Sequence, residues 1–113
     1  EVVGFMIYKL YKSKLHLLNF AVHPDCRRRG VGEQMADKLV SKLSNHRRTR
    51  IVVEVRETNL NAQLFFRAMD FWAIGVSRAF YNDTGEDAFI MEYRLKPPLE
   101  ELLPEAIRQR MSA

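Results

Sequence analysis

The chain is predicted to fold as one mixed α/β domain, and three observations point there. Five runs of apolar, β-branched and aromatic residues, at 2–11, 15–22, 51–55, 73–80 and 88–95, have the length and composition of strands. Between them, Val31, Met35, Leu39, Val40 and Leu43 recur at helical spacing, and a second helical pattern ends near Met69. The junction Arg27-Arg28-Arg29-Gly30-Val31-Gly32 then stands where a strand hands over to a helix. With 113 residues, 47% of them hydrophobic, the chain can build one core and not two.

The elements follow in order. Residues 2–11 and 15–22, separated by Lys12-Ser13-Lys14, read as an antiparallel hairpin whose second strand ends in Leu17-Leu18-Asn19-Phe20-Ala21-Val22. His23-Pro24-Asp25 is a turn, residues 31–44 are the first helix, and Asn45-His46-Arg47-Arg48 is its exit loop. Residues 51–55 alternate as a buried strand. Asn59 or Asn61 caps the second helix, which turns Leu64, Phe65 and Ala68 inward. Residues 73–80 and 88–95 close the sheet through the turn-rich Asn82-Asp83-Thr84-Gly85, giving the order β-β-α-β-α-β-β. Past Lys96-Pro97-Pro98 the composition shifts, so a domain at 1–96 is followed by a tail at 97–113. Leu99, Leu102, Leu103, Ile107 and Met111 would make one apolar stripe there, but Pro104 interrupts it and favours a short docked helix from that point, or an oligomer contact.

Composition excludes several classes. No apolar run approaches the length of a membrane span and no charged-then-apolar leader opens the chain, which points to a cytoplasmic protein with no membrane partner. The single Cys26 fits a reducing compartment. It stands three residues after His23, but three histidines and one cysteine are too few for a metal site, and none is expected. The net charge of +4 is uneven: residues 1–50 hold 11 Lys/Arg against 4 Asp/Glu, and residues 51–113 hold 7 against 10. Nucleic acid is not expected as a partner, because aromatic residues do not interleave with the basic ones and an anionic ligand at the junction would account for the charge.

That ligand follows from the junction. A helix start leaves its first N–H groups unpaired and carries the positive end of the helix dipole. Gly30 and Gly32 let the backbone close on phosphate oxygens, and the three arginines add charge-assisted donors. A dinucleotide fold would show G-x-G-x-x-G, and a nucleotide-phosphate loop G-x-x-x-x-G-K-[ST]; neither is present.

Arg27, Gly30 and Gly32 instead match the R/Q-x-x-G-x-G/A signature of the GCN5-related N-acetyltransferases (GNAT). A second block, Glu54-Val55-Arg56-Glu57-Thr58-Asn59 with Ala62, Phe65-Phe66 and Asp70-Phe71, resembles that family's E-V-x-x-x-N-x-x-A-x-x-L-Y-x-x-x-G-F. The resemblance covers residues 1 to about 95. The E-V-R block and the ending Glu86-Asp87-Ala88-Phe89-Ile90-Met91 look most like the RimI-type acetyltransferases of protein N-terminal amines. It implies a mixed, mostly antiparallel sheet, here without the family's first strand, first two helices and second strand, as in a fragment of something longer, which leaves an open sheet edge near residues 1–11 and predicts pairing with another chain, a homodimer included, or aggregation. It also implies acetyl-CoA as co-substrate, its pyrophosphate held at residues 27–32.

Acetyl transfer needs a neutral amine, a polarised carbonyl and a protonated leaving thiol. The resemblance assigns Glu54 as general base. It implies a bulged strand end at 19–22 that frees backbone N–H groups, so Phe20, Ala21 and Val22 would hold the pantetheine arm and the developing oxyanion. Asn59 matches the family's coenzyme-arm asparagine, although an ordinary helix cap explains it as well. Phe66 stands at the coenzyme where the family's acidic tyrosine is usual, and Tyr81, paired with Phe80, could substitute as acid. Asp70 replaces the family's glycine. The function so implied is transfer to a primary amine, a protein or peptide N terminus first, with a small-molecule amine enzyme or a weakly active acyl-CoA-binding module as alternatives.

Overall fold

The computed structural model describes residues 3–27, 29–96 and 104–111. Arg28, and Leu99, Leu102 and Leu103 of the tail stripe, lie outside the described residues, as does the side chain of Met111. The elements are β1 (Gly4–Leu10), β2 (Lys14–Val22), a 3₁₀ turn (Pro24–Cys26), α1 (Val31–Val40), β3 (Arg50–Arg56), α2 (Leu60–Ala68), β4 (Trp72–Ser77), β5 (Ala88–Arg94) and α3 (Glu105–Met111). The five strands form one mixed sheet in the order β1-β2-β3-β5-β4, with β2 and β3 parallel and the other pairs antiparallel.

Strand parity decides where the core lies. Leu15, Leu17, Ile51, Val53, Val55 and Met91 point to one face and pack with Leu39 of α1 and Phe66 of α2. Their neighbours His16, Glu54 and Glu92 therefore take the opposite face. α1 is shorter than the predicted 31–44, because Lys42 and Leu43 donate to carbonyls three residues back and tighten the end into 3₁₀ geometry. β4 stops at Ser77, short of the predicted 80, since Ala79 turns into the left-handed region at φ 49°. Of the two candidate caps for α2, Asn59 is the one used, its side-chain oxygen accepting from Ala62 N–H at 3.1 Å. With that start, Ala62, Phe65, Phe66 and Met69 share the inner face. Leu64 and Ala68, expected inside, lie on the outer side and are exposed. Asp70 follows α2 at φ 67°, so the residue type it replaces is the one that suits this left-handed helix end. In the tail, Pro104 stands one residue ahead of α3, and Ile107 is exposed.

The feature that positions the site is a wedge. β2 pairs with β3 only through Lys14–Leu17 against Arg50–Val53, and beyond those residues the two strands part. The cause is a bulge. Ile7 opposes Asn19 while the next residue, Tyr8, opposes Leu17, so Leu18 is the extra residue. The irregularity expected within 19–22 thus lies one residue earlier. Residues 19–22 remain in register with β1, where β1 is an edge strand with Phe5 and Ile7 exposed.

Candidate active site

One end of the wedge is built for an anion. Gly30 closes the loop at φ 78° and starts α1 without a side-chain cap. The first hydrogen bond to Gly30 O comes from Gln34 N–H at 3.0 Å, so the amides of Val31, Gly32 and Glu33 have no acceptor within the helix. Val22, Arg27, Gly30, Gly32, Glu33 and Phe65 line a cavity of about 290 Å³ there. Arg27 Nε donates to Val22 O at 3.3 Å, which ties the arginine to the end of β2. A β-carbon on Gly32 would lie 3.0 Å from the Phe65 ring. These groups fit a pyrophosphate: unpaired amides, a guanidinium and a backbone with no side chain in the way. Arg29 is exposed beside the loop, and Val31 opens the helix without lining the cavity.

Glu33 is the exception, an acid on the wall of an anion site. Its charge favours the helix N-terminus while the cavity is empty and opposes a phosphate placed there. Glu33→Gln is therefore expected to tighten acetyl-CoA binding by about threefold to tenfold, most at low salt. Calorimetric titration checks this; unchanged or weaker binding would mean that the carboxylate does not face the phosphates.

Farther down the wedge lies a second cavity of about 450 Å³, lined by Leu17, Leu18, Glu54, Arg56, Phe80, Tyr81, Asn82 and Asp83. Glu54 is its acid. It sits on the face opposite Val53 and Val55, about one-fifth exposed, with both carboxylate oxygens 2.7 and 2.8 Å from Nε2 of His16. With Glu54 ionised, Nε2–H is the donor, and the tautomer of His16 follows from that bond.

The wall carrying Tyr81 is held by Arg56. Its guanidinium lies 3.9 Å from the Tyr81 ring centroid and donates to Asp83 and Glu86 at 3.3 Å each. Thr58 donates to Glu86 at 2.6 Å, and Ala79 N–H donates to Asp87 at 2.8 Å across the left-handed turn. The bond from Arg56 holds the Asp83 carboxyl below its ordinary range, and the bond from Thr58 does the same for Glu86. Burial pushes the Tyr81 phenol up, against the pull of Arg56, so the phenol keeps its proton at neutral pH. Phe80 packs edge-on against it at 4.9 Å.

The remaining candidates divide. His23 N–H donates to Val3 O, so antiparallel alternation turns the N–H groups of Phe20 and Val22 away from β1 into the wedge. The same alternation points Ala21 N–H at β1. The Phe20 ring packs on Phe65 and Phe66 at 5.4 and 5.7 Å. Phe66 itself is 5% exposed, a core residue between Phe20, Phe65 and Phe71, and lines neither cavity. Asn59 spends its side-chain oxygen on the cap, which leaves only its amide nitrogen for a ligand. His16 was not singled out in the sequence. The available signal was parity: between inward Leu15 and Leu17, a polar residue faces the side of the sheet that Glu54 occupies.

The acetyltransferase (GNAT) family model matches residues 1–71, more than half of the chain. The ribosomal protein bS18-alanine N-acetyltransferase of Escherichia coli (strain K12) is 29% identical over 93 residues, 80% of this chain and 63% of that protein. Among solved structures, the ribosomal-protein-S18-alanine N-acetyltransferase from Escherichia coli superposes with a TM-score of 0.73 at 28% identity, covering 85% of this chain and 63% of that one. Ard1 from Thermoplasma volcanium superposes with a TM-score of 0.75 at 27% identity, over 84% of this chain and 64% of its own. The chain thus spans a little under two thirds of these relatives. The parted strands, the uncapped glycine-started helix and the family match together establish that the chain belongs to the GNAT family of acetyltransferases.

Proposed function

We propose that this chain is the core of a cytoplasmic, acetyl-CoA-dependent N-acetyltransferase whose acceptor is the α-amine of a protein or peptide. The observation that carries the reading is Glu54, held by His16 at the narrow end of the wedge whose open end is an anion-binding helix start. A co-substrate with its pyrophosphate at Arg27, Gly30 and Gly32 would run its arm along the wedge, where the N–H groups of Phe20 and Val22 wait for acceptors. Acetyl-CoA supplies the activated acyl group. The amine nitrogen attacks the thioester carbon, the C–S bond breaks, and the amine proton passes to Glu54, through water where the amine does not touch it. The leaving thiolate takes a proton from Tyr81 or from solvent. Relatives named for the alanine of a ribosomal protein support a peptide amine over a small-molecule one.

The test is release of CoA thiol from acetyl-CoA with three acceptors: an alanine-starting peptide, the same peptide already N-acetylated, and a polyamine. Release with the first alone is expected. Release with the polyamine alone would transfer the activity to small amines, and coenzyme binding without release for any acceptor would leave a binding module.

A further inference from the structure

A second charged surface lies at the end of the sheet away from the coenzyme loop. Residues 9–14, 42–50 and 92–96 hold nine lysines and arginines against one carboxylate, Glu92. Backbone bonds gather the three segments: Thr49 N–H donates to Ser13 O, and Leu95 N–H to Thr49 O. Glu92 is buried and already bonded to Arg50 and Arg94 at 3.2 and 2.7 Å. Among the described residues the other seven cations form no ion pair.

The coenzyme does not account for this charge. β2 runs from Lys14 to Val22, a span of roughly 26 Å at about 3.3 Å per residue, several times the ~8 Å screening length of physiological salt. A phosphate at residues 27–32 therefore leaves the far cluster uncompensated.

Four of these seven cations are held in place by neutral groups, which order them without cancelling their charge. Arg48 Nε donates to Tyr11 O at 3.1 Å, and among the described residues its two terminal nitrogens have no acceptor. Lys9 and Lys14 lie 5.1 and 5.3 Å from the Tyr11 ring, and Lys42 lies 5.6 Å from Tyr8. Cations fixed in this way across the hairpin tip and the loop after α1 suit an extended row of phosphates. From this we infer that the surface binds duplex nucleic acid through its backbone. A single strand would need free aromatic faces for its bases, and here lysines lie over both tyrosines.

The experiment is fluorescence anisotropy of labelled duplex DNA of about 20 base pairs from about 50 to 200 mM salt. Expected are binding that weakens steeply with salt, weaker binding of a single strand, and no competition from saturating CoA. The double variant Lys12→Glu, Arg47→Glu alters two exposed side chains with no side-chain hydrogen bond or ion pair among the described residues. It should lose at least about tenfold in affinity and lower the salt slope by roughly 2, while CoA binding stays unchanged. Four results would each overturn the inference: no binding at the lowest salt, displacement by CoA, an unaffected double variant, or tighter binding to phosphatidylserine vesicles than to the duplex.

Discussion

Glu54→Gln is expected to lower kcat for acetyl transfer by about 10²–10⁴, the range typical of a lost general base, with little change in acetyl-CoA affinity. The two parts of that expectation come from different places in the fold. Glu54 lies on the outer face of β3, and the anion site belongs to the start of α1, so removing the carboxylate leaves every proposed coenzyme contact in place. Glutamine also keeps an oxygen for the His16 Nε2–H, so the pair retains its shape and loses only its proton acceptor. A second variant separates chemistry from positioning: His16→Gln, which can still donate to the carboxylate, should keep activity that Glu54→Gln loses. A loss of less than tenfold in Glu54→Gln would remove Glu54 from the mechanism and direct attention to water alone as the acceptor.

Much of this arrangement is legible in the amino-acid sequence, and the reasons are local. Apolar strands and a 3.6-residue pattern announce themselves in one dimension, so the element order and the strand-loop-helix junction at Arg27–Gly32 could be read directly. Asn59 could be read only as one of two caps, because the choice depends on which turn of α2 meets the sheet. Leu64 shows the same difficulty: one shift in helix phase moved it from the expected core to solvent. Long-range facts were harder still. The contact between His16 and Glu54 joins residues 38 apart and needs the parallel register of β2 on β3 to be known. The bulge at Leu18 is a property of two strands, visible in neither alone. The resemblance supplied the splay but not its position, and it placed Phe66 at the coenzyme, whereas packing puts that ring in the core beside Phe20 and Phe71.

Gly32→Leu is expected to reduce acetyl-CoA affinity by more than about 100-fold while the protein stays folded. Two effects oppose each other in this variant. Replacing a helical glycine gains roughly 1 kcal/mol of helix propensity, which favours the folded state. Against it, the new β-carbon meets Phe65 at 3.0 and 3.2 Å, and Phe65 cannot easily yield, because Phe20 and Phe66 pack against it at 5.4 and 5.2 Å. Overpacking of this kind costs about 1–3 kcal/mol, so a small net loss of stability is expected. Binding suffers far more, since the rest of the leucine has only the cavity of about 290 Å³ to enter, where the pyrophosphate would lie. Gly30→Ala is the informative control. Its β-carbon would meet nothing within 4 Å, but φ 78° strains any residue other than glycine by about 1–2 kcal/mol. That variant should lose stability with a much smaller loss of affinity, the reverse of Gly32→Leu. Thermal melts and titration with acetyl-CoA separate the two. A Gly32→Leu protein that folds and binds within threefold of the original would show that the coenzyme's phosphates rest elsewhere, whatever the loop resembles.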